Sequence, residues 1–267
     1  MKDKVVLITG ASSGIGKELS YAFAGEGAKL VLSDLREEEL IVVKDNCLNM
    51  QRIGKDENIM ILPLDLSDTN NIEYETEQVI KRFGKIDILI NNAGISQRSL
   101  VRETSLAVDR KIMEVNFFGT VALTKSVLHY MLANKSGHIV VISSMVGKFG
   151  FPLRSAYSAS KHALHGFFES LRAELFDDNI KVTIVCPGRV STNISLNALT
   201  KDGEKYNKMD AGQADGIPAG QCAKKIIKAI RKNKQEVLIG GKEIMLIHIK
   251  RFLPELCSKL VRKVKAT

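Results

Sequence analysis

The sequence predicts an α/β fold, a doubly wound parallel sheet of about seven strands with helices on both faces. Three observations point to it. Seven short β-branched runs are apolar on successive residues rather than alternating, which suits strands buried on both faces. Longer helical patterns fill the gaps between them. A glycine-rich turn, "TGASSGIG", joins the first run to the first helical pattern. This is the Rossmann-type arrangement, in which ligands bind where the strands end.

The runs are "KVVLITG" (4–10), "KLVLSD" (29–34), "NIMILPLDL" (58–66), "IDILINNAG" (86–94), "GHIVVISS" (137–144), "KVTIVCPG" (181–188) and "EVLIGG" (236–241). Helical patterns cover 15–26, 36–52, 69–83, 104–134, 156–177 and 218–233. One stretch breaks the rhythm: residues 192–217 are polar, contain glycine and lack clear periodicity. A connection of that length is commonly functional, and this one follows a strand end, so it is expected to act as a lid over the ligand crevice. No domain boundary is evident. Residues 1–267 read as one domain with a basic tail at about 242–267.

Composition excludes several classes. The chain is 45% hydrophobic and 26% charged, which is ordinary for a globular protein and argues against disorder. Cys47, Cys186, Cys222 and Cys257 form no C-x-x-C pair, so neither a zinc site nor a disulfide framework is expected, and reduced thiols suit a cytoplasmic protein. No apolar run is long enough to span a membrane. The net charge of +9 is unevenly spread: residues 221–267 hold 13 Lys or Arg against 3 Asp or Glu, so the rest of the chain is close to neutral.

The glycine-rich turn carries the first functional signal. Gly10, Gly14 and Gly16 permit tight turning and close backbone approach. The following helix N-terminus offers N–H groups and positive dipole to a pyrophosphate. Asp34 ends the second run, 18 residues beyond Gly16, where an acidic residue can accept hydrogen bonds from the adenine-ribose hydroxyls of NAD and would repel the 2′-phosphate of NADP. Arg36, close by, could accommodate that phosphate; NAD(H) is favoured over NADP(H). The small and amide residues of "NNAG" (91–94) let a ligand approach the fourth strand end.

In "AYSASKHALHGF" (156–167), Tyr157 and Lys161 share one helical face. Alone, the pair reads better as a core-edge tyrosine and a snorkelling lysine. Ser144 changes the balance, because it ends a strand 13 residues upstream and places a hydroxyl at the ligand edge of the sheet. His162 and His165 lie three apart on the same helix; with no third ligand evident they read as structural or surface residues, and no metal is expected.

"TGASSGIG", "NNAG", "VN" before "FFGT", "ISS", "YSASK" and "CPGRVST" occur in this order, and the chain resembles the short-chain dehydrogenase/reductase family over residues 4 to about 240. "ILPLDLSD", "ISQRSL" and "SKHALHGFFESLRAEL" are most similar to the subgroup containing the eukaryotic dehydrogenase/reductase member 7. Members of that subgroup often carry an N-terminal membrane anchor and a basic residue just after the second strand. Here the first strand begins near residue 4, so no anchor is expected, and the residues corresponding to that basic position are Asp34 and Leu35.

The resemblance implies NAD(P)-dependent interconversion of a carbonyl and an alcohol by a tetrad of Asn116, Ser144, Tyr157 and Lys161. Tyr157 would be the general acid/base, Ser144 would hold the substrate oxygen, and Asn116 would anchor a water relaying protons from Lys161. Asn116 reads equally as a structural amide. A free tyrosine has a pKa of about 10, too high for a base at neutral pH. An ammonium about 4 Å away at an effective dielectric near 20 contributes about 4 kcal/mol, enough to lower the phenol by about 3 pH units. The resemblance also implies cofactor contacts from Gly10, Ser12, Ser13, Gly14, Ile15, Gly16 and Asp34, from Asp65 and Leu66 near adenine, and from Asn92, Ala93 and Gly94 along its ribose. Tyr157, Lys161, Pro187, Gly188, Val190 and Thr192 would lie at the nicotinamide end.

Met145, Val146, Phe149, Phe151 and Leu153 suggest an apolar pocket for a lipophilic small-molecule substrate. The tail could rest on an anionic membrane surface as a basic amphipathic helix or pack with its basic face solvated. Nucleic acid is not expected, since no recognition motif accompanies the charge. The family's usual pairing through the helices at 104–134 and 156–177 implies a homodimer or homotetramer. A nucleotide sensor or scaffold that keeps the fold without turnover is the alternative from another functional class.

Overall fold

The computed structural model describes residues 1–50 and 56–263. The chain alternates strand and helix: β1 (Val5–Thr9), α1 (Gly14–Gly25), β2 (Lys29–Asp34), α2 (Glu37–Met50), β3 (Ile59–Pro63), α3 (Ile72–Phe83) and β4 (Ile88–Asn91). Then come α4 (Leu106–Met113), α5 (Gly119–Ala133), β5 (Gly137–Ile142), α6 (Ser155–Glu174) and β6 (Ile180–Pro187). The chain continues with β7 (Val190–Ser191), α7 (Ala211–Ala214), β8 (Ile217–Pro218), α8 (Ala219–Arg231), β9 (Glu236–Ile239), α9 (Ile244–Phe252) and α10 (Pro254–Lys263). All seven expected strands form and join one sheet in the order β3-β2-β1-β4-β5-β6-β9. Every neighbouring pair is parallel.

The successive apolar residues are explained by two cores. On β1, Val6 and Ile8 face a layer that includes Leu19 and Phe23 of α1, Leu40 of α2 and Ile226 of α8. Val5 and Leu7 face the other side, with Val79 of α3, Leu123 of α5 and Phe168 of α6. The period-2 alternation of a strand therefore feeds apolar side chains to both faces, and no polar face is left.

The expected helix at 104–134 is broken. A π-helical turn, Glu114–Phe118, separates α4 from α5 and carries Asn116. Such turns are often found at functional sites, and one inserted residue leaves no clear mark on a helical pattern. The expected helix at 69–83 opens with a 3₁₀ turn, Thr69–Asn71. Residues 51 and 52 of the expected second helix, and 264–267 of the tail, lie outside the described residues.

The segment at 192–217 is tied down by tertiary bonds rather than by helical period. Leu199 bridges to Gln97 and to Lys205, and β8 pairs with β7 in parallel. The tail forms two helices. Cys257 and Val261 of α10 pack with Met145 and Phe149, while Met245, Phe252, Leu253 and Leu256 are exposed. Among the described residues, no helix is long and apolar enough to cross a membrane. All four cysteines are buried free thiols.

Candidate active site

A cleft of about 650 Å³ runs along the C-terminal edge of the sheet. Its nucleotide end starts at the β1–α1 turn. Gly10 has a positive φ of 65°, and a Cβ there would press on Asn92 and Ala93. A Cβ on Gly16 would overlap the Gly10 carbonyl oxygen. Only glycine fits either position. The α1 N-terminus has no side-chain cap and no acidic residue in its first turn, so its N–H groups and dipole stay available to an anion. A dinucleotide pyrophosphate suits this cradle.

At the end of β2, Asp34 accepts a hydrogen bond from Ser12 Oγ at 2.7 Å. Arg36 is turned back onto its neighbours: Nη2 donates to Ser12 Oγ at 2.9 Å, Nη1 to Glu39 at 2.6 Å, and Nε lies 3.6 Å from Asp34. Asn92 is partly structural, with its amide donating to the Thr9 and Gly10 carbonyls.

The far end of the cleft is built on α6. Gln97 caps this helix from outside: its Oε1 accepts from the Ala156 and Tyr157 N–H groups at 2.8 and 3.2 Å. Tyr157 is half-buried, with the Ser144 hydroxyl beside its own; Ser144 Oγ donates to the Pro187 carbonyl at 3.4 Å and accepts from the Val146 N–H at 3.3 Å. Ser143 faces elsewhere, with its Oγ donating to the Lys161 carbonyl and lying 3.1 Å from His165 Nε2. Lys161 Nζ donates to the Ile142 carbonyl at 2.8 Å, and among the described residues no carboxylate pairs with it. Burial lowers its pKa to about 8, against a small opposing influence of Cys186. The Asn116 amide clamps Ile95: Nδ2 donates to the Ile95 carbonyl at 2.9 Å and to Ser160 Oγ at 3.0 Å, and Oδ1 accepts from the Ile95 N–H.

The phenol departs from expectation. Burial raises its pKa, and what opposes the rise is the Ser144 hydrogen bond followed by the charges of Arg98 and Arg154. Lys161 Nζ lies 5.7 Å from the ring centroid, over the ring. The cations that bear on the hydroxyl are therefore two arginines that the motif reading passed over. Arg98 sits within the quoted "ISQRSL", and Arg154 directly precedes α6. Both contact Asp210. Nothing in sequence spacing links these three; only the fold does.

Of the expected site residues, Gly10, Ser13, Gly14, Ile15, Asp34, Asp65, Leu66, Asn92, Ala93, Gly94, Ser144, Tyr157, Lys161, Pro187, Gly188, Val190 and Thr192 all line this one cleft. Ser12, Gly16 and Asn116 stand behind the lining. Met145, Val146, Phe149 and Phe151 line it too, whereas Leu153 does not. The expected apolar pocket is therefore mixed, with a charged cluster beside its apolar wall.

Residues 4–203 match the family model described as short chain dehydrogenase. The chain belongs to the short-chain dehydrogenase family. It is 49% identical over 240 residues to the dehydrogenase/reductase SDR family protein 7-like of Anopheles gambiae, covering 90% of this chain and 76% of that protein. It is 41% identical over 262 residues to dehydrogenase/reductase SDR family member 7B of Mus musculus, covering 98% and 81%. The resemblance to the member 7 subgroup holds. A short-chain dehydrogenase/reductase from Burkholderia phymatum, solved in complex with NAD, superposes with a TM-score of 0.83 at 24% identity, covering 96% of this chain and 95% of that one. That likeness concerns the fold.

His165 is not as isolated as its spacing suggested. Its ring, Cys186 Sγ and Glu236 bring ligand atoms within 4.8 Å of one another. Lys148 Nζ already sits 2.6 Å from Glu236, and burial pushes the Cys186 thiol up to about 12. The group is an ion-paired cluster behind Ser143.

Proposed function

We propose that this chain interconverts a carbonyl compound and the corresponding alcohol, with Tyr157 as general acid/base. The observation that carries the reading is the grouping of Ser144, Tyr157 and Lys161 in the same cleft as the uncapped α1 N-terminus. A nicotinamide dinucleotide bound along the cleft would supply or accept the hydride. Ser13, Gly14 and Ile15 would hold its pyrophosphate, Asp34 its adenine ribose, and Pro187 to Thr192 its nicotinamide end.

In reduction, Tyr157 Oη gives its proton to the carbonyl oxygen while Ser144 Oγ donates a second hydrogen bond to the developing oxyanion. In oxidation, the phenolate takes the alcohol proton. Lys161, whose Nζ lies over the Tyr157 ring, would reach the nicotinamide-ribose hydroxyls. Asn116, by clamping Ile95, keeps the strand end behind Gly94 in place, and a water held by this turn would relay protons from Lys161 to solvent.

Asp34 supports NAD(H) over NADP(H), because Arg36 is already engaged by Glu39 and Ser12. Substituting Asp34→Ala should move the ratio of kcat/KM values toward NADP(H). The apolar wall of Met145, Val146, Phe149 and Phe151 supports a lipophilic substrate, with residues 192–217 as its lid. Exposed Leu106 and Phe118 support a homodimer or homotetramer through α4, α5 and α6, read by solution mass. Exposed apolar residues of α9 and α10 among lysines and arginines support peripheral contact with anionic lipid, read by liposome co-sedimentation at low salt. Buried free thiols suit a cytoplasmic setting.

A screen of ketones, aldehydes and alcohols with NAD(H) and NADP(H) tests the reading. Turnover on a carbonyl–alcohol pair is expected. Dinucleotide binding without turnover on any member would support a sensor instead.

A further inference from the structure

Three charged side chains meet at the substrate end of the cleft, from three separate parts of the chain. Arg98 comes from the loop after β4. Arg154 immediately precedes α6, three residues before Tyr157. Asp210 belongs to the 192–217 segment, just before α7. Arg98 donates to Asp210 Oδ2 through Nε at 2.8 Å and Nη2 at 2.7 Å, and Arg154 Nη2 donates to the same oxygen at 2.8 Å. Arg98 is fixed further by Ser96 Oγ and the Gln97 carbonyl. The side chains are nearly enclosed, at 2% exposure for Arg98, 13% for Arg154 and 4% for Asp210.

Two features make this more than an adhesive ion pair. Asp210 occupies the residue before a helix, where a carboxylate would ordinarily cap, yet its side chain makes no cap bond and turns to the arginines. Its other oxygen, Oδ1, is buried without a hydrogen-bond partner among the described residues. Ion clusters this buried hold a fold together no better than apolar packing of the same volume, so retention beside a reacting group calls for another reason.

We propose that Asp210 is a latch that ties residues 192–217 to the start of the catalytic helix through Arg98 and Arg154, and that the latch sets the charge facing the Tyr157 hydroxyl. Arg98 and Arg154 are positioning residues in this scheme. Its catalytic consequence rests on the acid/base reading of Tyr157, but the charge coupling itself can be measured without turnover.

The groups near the phenol are the Ser144 hydroxyl from the loop after β5, Lys161 on its own helix and the two guanidiniums, which hold the Asp210 carboxylate between them. The guanidiniums favour the phenolate, and the carboxylate offsets part of their charge. With the segment latched, Tyr157 is held as the phenol, the form that gives a proton to a carbonyl. Burial and the neighbouring Arg98 lower the pKa of Arg154 to about 10, so it stays charged at neutral pH. The Asp210 bond and the field of Tyr157 oppose that fall.

The test is a pH titration of tyrosinate absorbance. Each protein is read against the same protein carrying Tyr157→Phe, so that the other tyrosines cancel. Asp210→Asn keeps the shape and removes the offsetting charge. Its Tyr157 midpoint should fall by about one pH unit, the size expected of a charge within about 10 Å at an effective dielectric near 20. Arg154→Gln should raise the midpoint, and Arg154→Lys should restore it. Trypsin reads the latch itself: cleavage at exposed Lys201, Lys205 and Lys208 should quicken severalfold in Asp210→Asn and Arg154→Gln.

Midpoints equal to wild type in both variants, or moved in the same direction, would overturn the coupling. Unchanged cleavage would overturn the latch. Should Asp210→Asn fail to fold, the Arg154→Gln and Arg154→Lys pair decides alone, since a rise that lysine does not reverse contradicts the proposal. Turnover that survives Tyr157→Phe would sink the acid/base reading and leave this titration untouched.

Discussion

At the edge of the sheet where the strands begin, Asp87 is buried among partners. It accepts from Lys4 Nζ at 2.8 Å, from the Val5 N–H at 2.9 Å and from Lys85 Nζ at 3.2 Å. Burial alone would raise its pKa, but these bonds outweigh it and hold the carboxyl below its usual range. At the opposite edge, where the strands end, Lys161 is buried with a carbonyl and, among the described residues, no carboxylate, and its pKa falls to about 8. One edge satisfies its charge and gains stability. The other leaves its charge uncompensated, at a cost to stability, and keeps it available for chemistry.

Lys161→Met is the sharpest way to break this contrast. Turnover should fall by about 10²-fold or more, in keeping with losing part of an acid/base apparatus. Its effect on stability should run against intuition. The folded pKa of about 8 lies below the unfolded 10.5, so the unfolded chain binds more protons between those values. Wild-type stability should therefore rise with pH across that window, by up to about 3 kcal/mol. In Lys161→Met that rise should vanish, as read by urea unfolding at both ends of the window.

Asp87→Ala tests the other edge. It should cost about 1–3 kcal/mol in urea unfolding, because the Val5 N–H loses its partner, while kcat per folded molecule stays unchanged. The stability that Asp87 adds is present above its unfolded value of 3.8 and is lost as pH falls through its lower folded value. A fall in kcat would blur the division between the edges.

The smallest effect concerns His138, which shares the Asp87 edge through its N–H and bonds Thr183 Oγ1 at 2.8 Å. Burial, helped by Lys181, lowers its pKa to about 4. Stability tied to the neutral ring is complete above pH 6.5 and is lost as pH falls toward 4. His138→Gln should remove about 1–2 kcal/mol of that acid sensitivity, seen as a flatter Tm against pH.

The two edges also differ in what sequence reveals. The strands were readable because burial on both faces writes an unbroken apolar run, and all seven appear in the sheet. The cradle at Gly10 and Gly16 was readable because steric demand admits glycine alone. Tyr157, Lys161 and Ser144 stand out by their spacing around one strand and one helix, and their proposed roles come from the family resemblance. The Arg98–Asp210 bond was invisible, since 112 residues separate its ends and no local pattern marks either one. The π turn at Asn116 was hidden because one extra residue barely disturbs a helical pattern. Residues 192–217 take their shape from Leu199, Asp210 and their distant partners, which leave no period to read.

The central claim is that Tyr157 moves the proton. It is tested most directly by turnover of Tyr157→Phe, with dinucleotide binding measured on the same preparation. The predicted result is retained binding with kcat reduced by about 10²–10⁴-fold. Turnover equal to wild type, with the dinucleotide bound, would contradict the account.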